Sequence, residues 1–180
     1  MQRHLYIVFE GLDECGKTTQ AQILSKKIKA KIIPALSSTI ISKNIYDALN
    51  HDILPLTEVL LFLALRVETV YKNIIPMLCL QHIICDRDIY STCAYQGSKG
   101  VSIGKIKLIE NMIESPKPDI VFLFLHQYKK PTDKLSEINS RKATELFLNQ
   151  KEENWIIIPD QSIEEVAKFI DKILCERFLL

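Results

Sequence analysis

Short apolar runs recur along the chain, separated by longer stretches with helical periodicity. Each run is rich in isoleucine, valine, leucine or phenylalanine and ends at, or just before, a proline or a polar residue. Uninterrupted apolar runs of this length are typical of strands that are buried on both faces of a sheet. The pattern predicts five strands, at 5–9, 31–34, 82–85, 119–125 and 155–159.

The stretches between these runs carry apolar residues at three- and four-residue spacing, which predicts amphipathic helices. The longest is expected at about 56–78. Its predicted buried stripe consists of Leu56, Leu60, Leu63, Val67, Val70 and Ile74. The polar segment 127–142 bears lysines and is broken by Pro131, so we expect a mobile loop leading into a helix.

Two sets of polar residues have the spacing of helix N-caps. Ser38 or Thr39 is a candidate cap for a helix that includes Ile45. Ser162 with Glu165 forms a predicted capping box for the terminal helix.

The alternation of strands and helices predicts an α/β fold, in which helices cover both faces of a five-stranded parallel sheet. The chain has 180 residues, so one domain spanning 1–180 is expected, with 127–142 as a short lid. Ligands in such folds bind beyond the carboxyl ends of the strands. Residues that follow the predicted strands are therefore the candidates for a site.

Composition and charge narrow the possible functions. The formal net charge is +1, which argues against coating nucleic acid or a membrane surface, because both usually need a basic excess. The five cysteines are scattered without a C-x-x-C pair, which indicates a reducing compartment, and we expect a cytoplasmic protein. Cys15 differs from the others because it lies in a glycine-rich turn.

That turn follows the first predicted strand and carries the frame Gly11-x-x-x-x-Gly16-Lys17-Thr18. The glycines let successive N–H groups converge on phosphate oxygens, and the next helix directs its N-terminal dipole at the same anion. Lys17 supplies a positive charge for the β- and γ-phosphates, and Thr18 offers a hydroxyl to Mg²⁺. The sequence therefore predicts a nucleotide triphosphate site.

Two further pairs of residues suggest a second nucleotide. Phe62 and Arg66 are four residues apart, on one face of the long predicted helix, where an aromatic ring can stack on a base and a guanidinium can grip a phosphate. The alternative interpretation is that Phe62 packs in the core and Arg66 pairs with a surface acid, since both would occur at the same spacing. Asp86 and Arg87 end a buried strand abruptly, at the edge where the phosphates are expected.

These residues together resemble the thymidylate kinase family. FEGLDECGKTTQ is similar to the family's opening, which is close to F-E-G-x-D-G-x-G-K-T-T-Q. The segment 60–97 resembles a block that runs L-L-F-x-A-x-R, I-x-P-x-L, D-R-Y and S-x-x-A-Y-Q-G, and PKPDIVFLFL is similar to a later strand. The resemblance implies a P-loop kinase fold and a homodimer that phosphorylates thymidine monophosphate from ATP with Mg²⁺.

The resemblance also implies roles for individual residues. The implied catalytic residues are Lys17, Asp86, Arg87 and Arg141. The implied ATP-binding residues are Gly11, Leu12, Asp13, Glu14, Cys15, Gly16, Lys17, Thr18 and Thr19. The implied residues for thymidine monophosphate are Asp13, Phe62, Arg66, Arg87, Ser91, Tyr95 and Gln96. Thr18 and Asp86 are the implied Mg²⁺ ligands, partly through water.

Within the acceptor set, Arg87 is expected on the phosphate, and Gln96 with Ser91 on the thymine base. Tyr95 matches a position that disfavours a ribose 2′-hydroxyl, and Asp13 a position close to the sugar 3′-hydroxyl.

The chain departs from the family pattern at several positions. Glu14 places a carboxylate where glycine or arginine is usual, and a desolvated carboxylate there would repel the transferring phosphate. Ser37 or Ser38 stands where an arginine often contacts the acceptor phosphate, and Lys43 is the nearest cation. Asp88 replaces the aromatic residue of D-R-Y, and Arg141 is the single arginine of the lid.

These departures leave two alternatives to thymidylate kinase activity. One is a related P-loop kinase with another nucleoside or nucleotide acceptor. The other is a nucleotide-binding protein with little turnover, in which Glu14 and the missing arginine have weakened the chemistry.

Overall fold

The computed structural model describes residues 4–34, 41–126 and 134–179. Its strands are β1 (Tyr6–Gly11), β2 (Lys31–Pro34), β3 (Ile83–Asp86), β4 (Ile120–Phe124) and β5 (Trp155–Ile157). Its helices are α1 (Lys17–Ile28), α2 (Ser42–Leu49), α3 (Pro55–Thr69), α4 (Ile75–Leu78), α5 (Ile89–Ser98), α6 (Ile103–Asn111), α7 (Lys134–Gln150) and α8 (Ile163–Phe178). The five predicted strands are confirmed.

The strands form one parallel sheet in the order β2-β3-β1-β4-β5. β1 is central, with β3 on one side and β4 on the other. Such a reversal of strand order opens a crevice at the carboxyl end of the central strand. The loop that follows β1 lies at this point, as the sequence predicts.

Helices cover both faces of the sheet, which explains why the strands read as continuous apolar runs. Tyr6 and Val8 face a core built with α3, α5, α6 and α7. Ile7 and Phe9 face a second core built with α1 and α8. Alternate residues of one strand thus enter opposite cores, so neither face needs polar residues.

The predicted helix at 56–78 is present, but half of its predicted buried stripe is wrong. Leu63, Val70 and Ile74 lie in the core, whereas Leu56, Leu60 and Val67 are exposed. Val59 and Leu65 are buried instead. The segment 59–65 is apolar at every position, so spacing alone does not select the face that packs inward.

The same helix also changes its winding. Val70–Ile74 forms a π-turn between α3 and α4. Pro76 follows it and lacks the N–H that would bond the carbonyl four residues earlier, which is a common setting for a widened turn. The turn shifts the phase of the helix and therefore changes which side chains face the sheet.

Two further expectations concern the remaining loops. α7 begins at Lys134, so the second half of the predicted lid is helical, and 127–133 lies outside the described residues. The candidate caps Ser38 and Thr39 also lie outside the described ranges, and α2 begins at Ser42. None of the helices within the described ranges combines the length and apolarity needed to cross a bilayer.

Candidate active site

The loop between β1 and α1 has the backbone that its glycines predict. Gly11 has φ +134°, and a Cβ atom there would lie 1.8 Å from the carbonyl oxygen of Phe124 on β4. Leu12 N donates to that same carbonyl at 3.1 Å. Gly16 adopts φ 85° and begins α1. Glycine is therefore needed at both positions, for close backbone approach at Gly11 and for a left-handed turn at Gly16.

Lys17 is buried beneath this loop. Its Nζ donates to the carbonyl of Leu12 and lies 3.2 Å from Cys15 Sγ. The Cys15 thiol donates to the same carbonyl at 2.8 Å. The ammonium group is thus held inside the turn of the loop, where converging N–H groups also favour an anion.

Glu14 has a left-handed backbone, with φ 55°, and its side chain is exposed. This conformation explains why glycine suits the position, since residues with a Cβ atom adopt it at a cost of about 1–2 kcal/mol. Because the side chain is exposed, its repulsion of a nearby phosphate is screened and weaker than in a dry site.

Thr18 and Asp86 come together from different elements. Thr18 Oγ1 donates to Asp86 Oδ2 at 2.6 Å, which links the start of α1 to the end of β3. Both are hard oxygen donors of the kind that Mg²⁺ takes together with phosphate oxygens and water. Among the described residues, no group of three or more histidine, cysteine, aspartate or glutamate side chains could hold a metal.

A cavity of about 360 Å³ opens on one side of the loop. Residues 14–19 form one wall, and the ends of β4 and β5 with the start of α8 form the others. At the rim of the cavity, His126 Nδ1 lies 3.1 Å from Asp160 Oδ2. Six of the nine predicted ATP-binding residues line this cavity, namely Glu14, Cys15, Gly16, Lys17, Thr18 and Thr19. Gly11, Leu12 and Asp13 do not.

A second cavity, of about 410 Å³, lies between α3 and α5 on the other side of the loop. All seven residues that the resemblance implies for thymidine monophosphate line it. α3 contributes a row at helical spacing, which consists of Glu58, Phe62, Arg66 and Thr69. Lys99, after α5, pairs with Glu58 at 2.6 Å and bridges the two helices.

Arg87 lies where the second cavity meets the loop. Its Nη1 donates to the carbonyl of Gly11 and to Ser91 Oγ, each at 2.8 Å, and its Nη2 bonds Asp13 Oδ1 at 2.6 Å. The guanidinium carbon is 5.2 Å from the ring centre of Tyr95. Burial disfavours the charge of Arg87, but Tyr95, Glu10 and Asp13 raise its pKa above the ordinary arginine value.

Glu10 supports this arrangement, although the sequence analysis did not single it out. Its Oε1 accepts from Asp88 N at 2.7 Å and Ser91 N at 3.2 Å, and its Oε2 accepts from the Ser91 hydroxyl. Burial raises its pKa from 4.5 to about 7, against the opposing effect of Arg87. The sequence did contain a signal for Glu10, because it is the single acidic residue in an otherwise apolar strand.

Ser91 differs from its expected role on the thymine base. Its hydroxyl donates to Glu10 and accepts from Arg87, so its proton is already committed. Gln96 is buried, and its Oε1 has no hydrogen-bond partner among the described residues. Tyr95 donates to Asp13 Oδ2 at 3.3 Å.

Arg66 also has partners that the sequence did not suggest. Its Nη1 pairs with Asp88 Oδ1, its Nε bonds Glu110 Oε1 at 3.1 Å, and its Nη2 bonds Ser115 Oγ at 2.7 Å. Burial opposes its charge, yet Asp88 and then Tyr6 and Glu110 raise its pKa above the ordinary value. Glu110 and Ser115 lie 44 and 49 residues further along the chain, so no local pattern could reveal them.

The fourth predicted catalytic residue lies apart from these contacts. Arg141 is exposed on α7 and lines neither cavity. Of the predicted catalytic set, the structure brings together Lys17, Asp86 and Arg87 around the loop.

Comparison with known proteins agrees with this geometry. A family model described as thymidylate kinase matches residues 9–170. A probable thymidylate kinase from Methanocaldococcus jannaschii is 34% identical over 178 residues, which cover 92% of this chain and 93% of that protein. The thymidylate kinase of Rickettsia typhi is 32% identical over 152 residues, covering 79% and 73%. The crystal structure of thymidylate kinase from Ehrlichia chaffeensis superimposes with a TM-score of 0.81 at 26% identity, covering 95% of this chain and 98% of that one.

Proposed function

The chain belongs to the thymidylate kinase family and phosphorylates thymidine monophosphate from ATP; on this premise we propose which of its residues carry the reaction. One observation carries the proposal. Glu14 lines the cavity on one side of the P-loop, and its neighbour Asp13 lines the cavity on the other side. We assign the first cavity to ATP and the second to thymidine monophosphate, so that the phosphoryl group passes between them at the P-loop.

On the donor side, the backbone of 11–16 and the Lys17 ammonium hold the β- and γ-phosphates. Thr18 and Asp86 would hold the Mg²⁺ that accompanies ATP, because their side-chain oxygens lie 2.6 Å apart. That ion would neutralise charge on the β- and γ-phosphate oxygens. Lys17 leaves the Leu12 carbonyl to meet the nucleotide, since an ammonium group prefers a phosphate dianion to a neutral carbonyl.

On the acceptor side, Arg87 holds the phosphate of thymidine monophosphate. An oxygen of that phosphate attacks the γ-phosphorus, a new P–O bond forms, and the bond to the β-phosphate oxygen breaks as ADP leaves with the electron pair. The nucleophile is already anionic, so the protein needs no strong general base. Positioning by Arg87 and neutralisation of charge are its main contributions. Arg141 is proposed to join them from the lid.

The thymine base of the acceptor lies between α3 and α5, farther from the P-loop than its phosphate. Phe62 stacks on the pyrimidine, Gln96 Oε1 accepts from its N3–H, and Arg66 donates to a ring carbonyl. This differs from the expected grip of Arg66 on the phosphate. Arg87 is the better candidate for the phosphate because it bonds the Gly11 carbonyl at the P-loop, whereas Arg66 pairs with Asp88 and Glu110. Tyr95 and Asp13 contact the sugar of thymidine monophosphate.

A homodimer and a cytoplasmic location complete the proposal. The outer face of α3 exposes apolar side chains, and so does the neighbouring α6. These side chains are Leu56, Leu60, Val67, Tyr71, Leu108 and Met112. Exposed apolar side chains on two neighbouring helices are the residues expected at a protein interface. All five cysteines are free thiols, which fits a reducing cytoplasm.

ADP release with Mg·ATP and each pyrimidine monophosphate in turn tests the function. We expect the highest kcat/KM on thymidine monophosphate and a loss of about 100-fold or more in Lys17→Ala, since the lysine stabilises transition-state charge. Glu14→Gly is a second variant, because Glu14 and the missing arginine near Ser37 are the observations that favour the low-turnover alternative. ATP binding without consumption of any monophosphate in the native protein would support that alternative, especially if Glu14→Gly gains activity.

A further inference from the structure

Arg87, the residue proposed for the acceptor phosphate, has a strained backbone. Its φ of 78° lies in the left-handed region, which a residue with a Cβ atom adopts at a cost in free energy. Such conformations persist only where the surrounding contacts hold them. Arg87 N donates to the carbonyl of Phe9 at 2.9 Å, and the next N–H, on Asp88, donates to Glu10 Oε1 at 2.7 Å. Strand β1 therefore holds the turn on both sides of Arg87.

Glu10 supplies three of the contacts around this turn. Its Oε1 accepts from the N–H groups of Asp88 and Ser91, which joins the turn to the first residues of α5. Its Oε2 accepts from the Ser91 hydroxyl. Because Glu10 is fully buried, water does not compete for these bonds. The carboxylate thus fixes the backbone after Arg87 and the side chain of Ser91 together.

Ser91 passes this constraint to the guanidinium of Arg87. A hydroxyl has one hydrogen to donate, and Ser91 donates it to Glu10. The Ser91 oxygen is then oriented to accept from Arg87 Nη1 at 2.8 Å. The carbonyl of Gly11 in the P-loop accepts from the same nitrogen at 2.8 Å. Nη1 is therefore anchored by two acceptors, and Glu10 orients one of them.

The other end of the guanidinium has a partner that a ligand can replace. Nη2 bonds Asp13 Oδ1, and the Asp13 side chain is 74% exposed. Exposed ion pairs contribute little free energy, whereas a phosphate binds a guanidinium through strong charge-assisted hydrogen bonds. Tyr95 also contacts this guanidinium and lines the acceptor cavity. The anchored Nη1 thus determines how Nη2 meets a phosphate in that cavity.

We propose that Glu10 is a positioning residue for the acceptor phosphate: acting through Ser91, its carboxylate anchors Nη1 of Arg87 so that Nη2 meets the phosphate of thymidine monophosphate. The inference rests on the proposed placement of that phosphate at Arg87. It assigns Ser91 to the phosphate end of the acceptor rather than to the base. Loss of the anchor should therefore weaken binding of thymidine monophosphate but not of thymidine, which has the same base and sugar without the phosphate.

Two single variants and their combination interrupt this chain of contacts. Ser91→Ala removes the hydroxyl but keeps the N–H that donates to Glu10. Glu10→Gln keeps the shape and one acceptor oxygen, but its amide nitrogen cannot accept from the Ser91 hydroxyl. Ser98→Ala is the matched control, because its hydroxyl lies on the same helix and bonds the carbonyl of Tyr95 at 2.7 Å instead.

Steady-state kinetics at about pH 8, above the pKa of about 7 that burial gives Glu10, provide the measurement. In each single variant we expect the KM for thymidine monophosphate to rise about tenfold, because an anchor of a charged group is lost. The inhibition constant of thymidine and the KM for ATP should stay within about twofold. The double variant should also rise about tenfold, since contacts in one chain are not additive. Ser98→Ala should match the native protein.

Three results would overturn the inference. One is an unchanged KM for thymidine monophosphate in both single variants. Another is an equal rise in the inhibition constant of thymidine, which would place Ser91 on the base. The third is a rise of about a hundredfold in the double variant, which would show that Glu10 and Ser91 act independently.

Arg87→Ala separates the failure of this inference from the failure of the proposed function. If the KM for thymidine monophosphate is unchanged in Arg87→Ala, the phosphate does not lie at Arg87, and the positioning role fails with that placement. If Arg87→Ala raises this KM strongly while the Glu10 and Ser91 variants do not, only the role of Glu10 is removed.

Discussion

At the scale of single residues, two glutamates near the P-loop have opposite surroundings. Glu10 is fully buried, and its ionisation depends on that burial, on the Arg87 guanidinium and on three hydrogen-bond donors. Glu14, four residues later, is exposed. A carboxylate in the P-loop is therefore compatible with phosphate binding because water screens it, and its main cost is the left-handed backbone at φ 55°.

The buried glutamate predicts how stability depends on pH. Burial raises the pKa of Glu10 from 4.5 to about 7, so the folded protein binds this proton more tightly than the unfolded chain does. Its contribution to stability is complete below pH 4.5 and is lost as the pH rises through about 7. Glu10→Gln resembles the protonated side chain and does not titrate. We expect the free energy of unfolding of the native protein to fall relative to Glu10→Gln between pH 4.5 and 7.

Denaturant unfolding at a series of pH values measures this difference. Trp155 is the single tryptophan and is buried against Tyr90, so its fluorescence reports the folded state. The shift that burial causes in the pKa of Glu110 is common to both proteins and cancels in the comparison. Parallel curves through the window would show that Glu10 does not retain its proton in the folded protein.

At the scale of helices and strands, features set by neighbouring residues could be predicted from the sequence, whereas contacts between distant elements could not. The capping box at Ser162 and the five strands follow from residues close together in sequence, and both were predicted correctly. The predicted buried face of the long helix was wrong at half of its positions. A segment that is apolar all round packs according to the elements next to it, which its own spacing does not reveal. The partners of Arg66 depend on α5 and α6 docking against α3, which no spacing encodes.

Two serines that begin helices offer a matched test of capping. Ser162 Oγ accepts from Glu165 N at 3.3 Å and Ser162 N donates to Glu165 Oε2 at 3.0 Å, whereas Ser102 begins α6 without a side-chain cap. We expect Ser162→Ala to lose about 1 kcal/mol of stability, which lowers Tm by about 2–4 °C in a chain of this size. Ser102→Ala should change Tm by less than about 1 °C, because no such bond is lost. Equal shifts in the two variants, measured by thermal unfolding, would contradict this account of the cap.

At the scale of the whole molecule, parallel topology explains why the sites were predictable. The carboxyl ends of β1 and β3 are neighbours, so the P-loop and the Asp86–Arg87 pair had to meet once the strand order was set. All seven predicted acceptor residues line one cavity, but five of them lie on α3 and α5, and the family resemblance rather than the strand order identified them. The extent of the helix in the predicted lid and the exposed apolar face of α3 could be identified only from the structure.

That exposed face predicts the oligomeric state. Leu60→Glu places a charge among the exposed apolar side chains of α3, and we expect a dimer to dissociate because a buried unpaired carboxylate is costly. Ile23→Glu is the control, since Ile23 is 38% exposed on α1, across the sheet. Analytical ultracentrifugation should find monomers for Leu60→Glu and dimers for Ile23→Glu and the native chain. A monomeric native protein would refute the proposed homodimer.

Two consecutive residues, Asp13 and Glu14, line different cavities, one on each side of the P-loop. For inhibitor design, this means that two weak fragments, one for each side, need only a short linker to be joined. A linked compound gains from the high effective concentration of its second half, and a short linker loses little of that gain to flexibility. Its selectivity would come from the side wall with Phe62 and Gln96 rather than from the P-loop, whose backbone contacts recognise phosphate in any nucleotide.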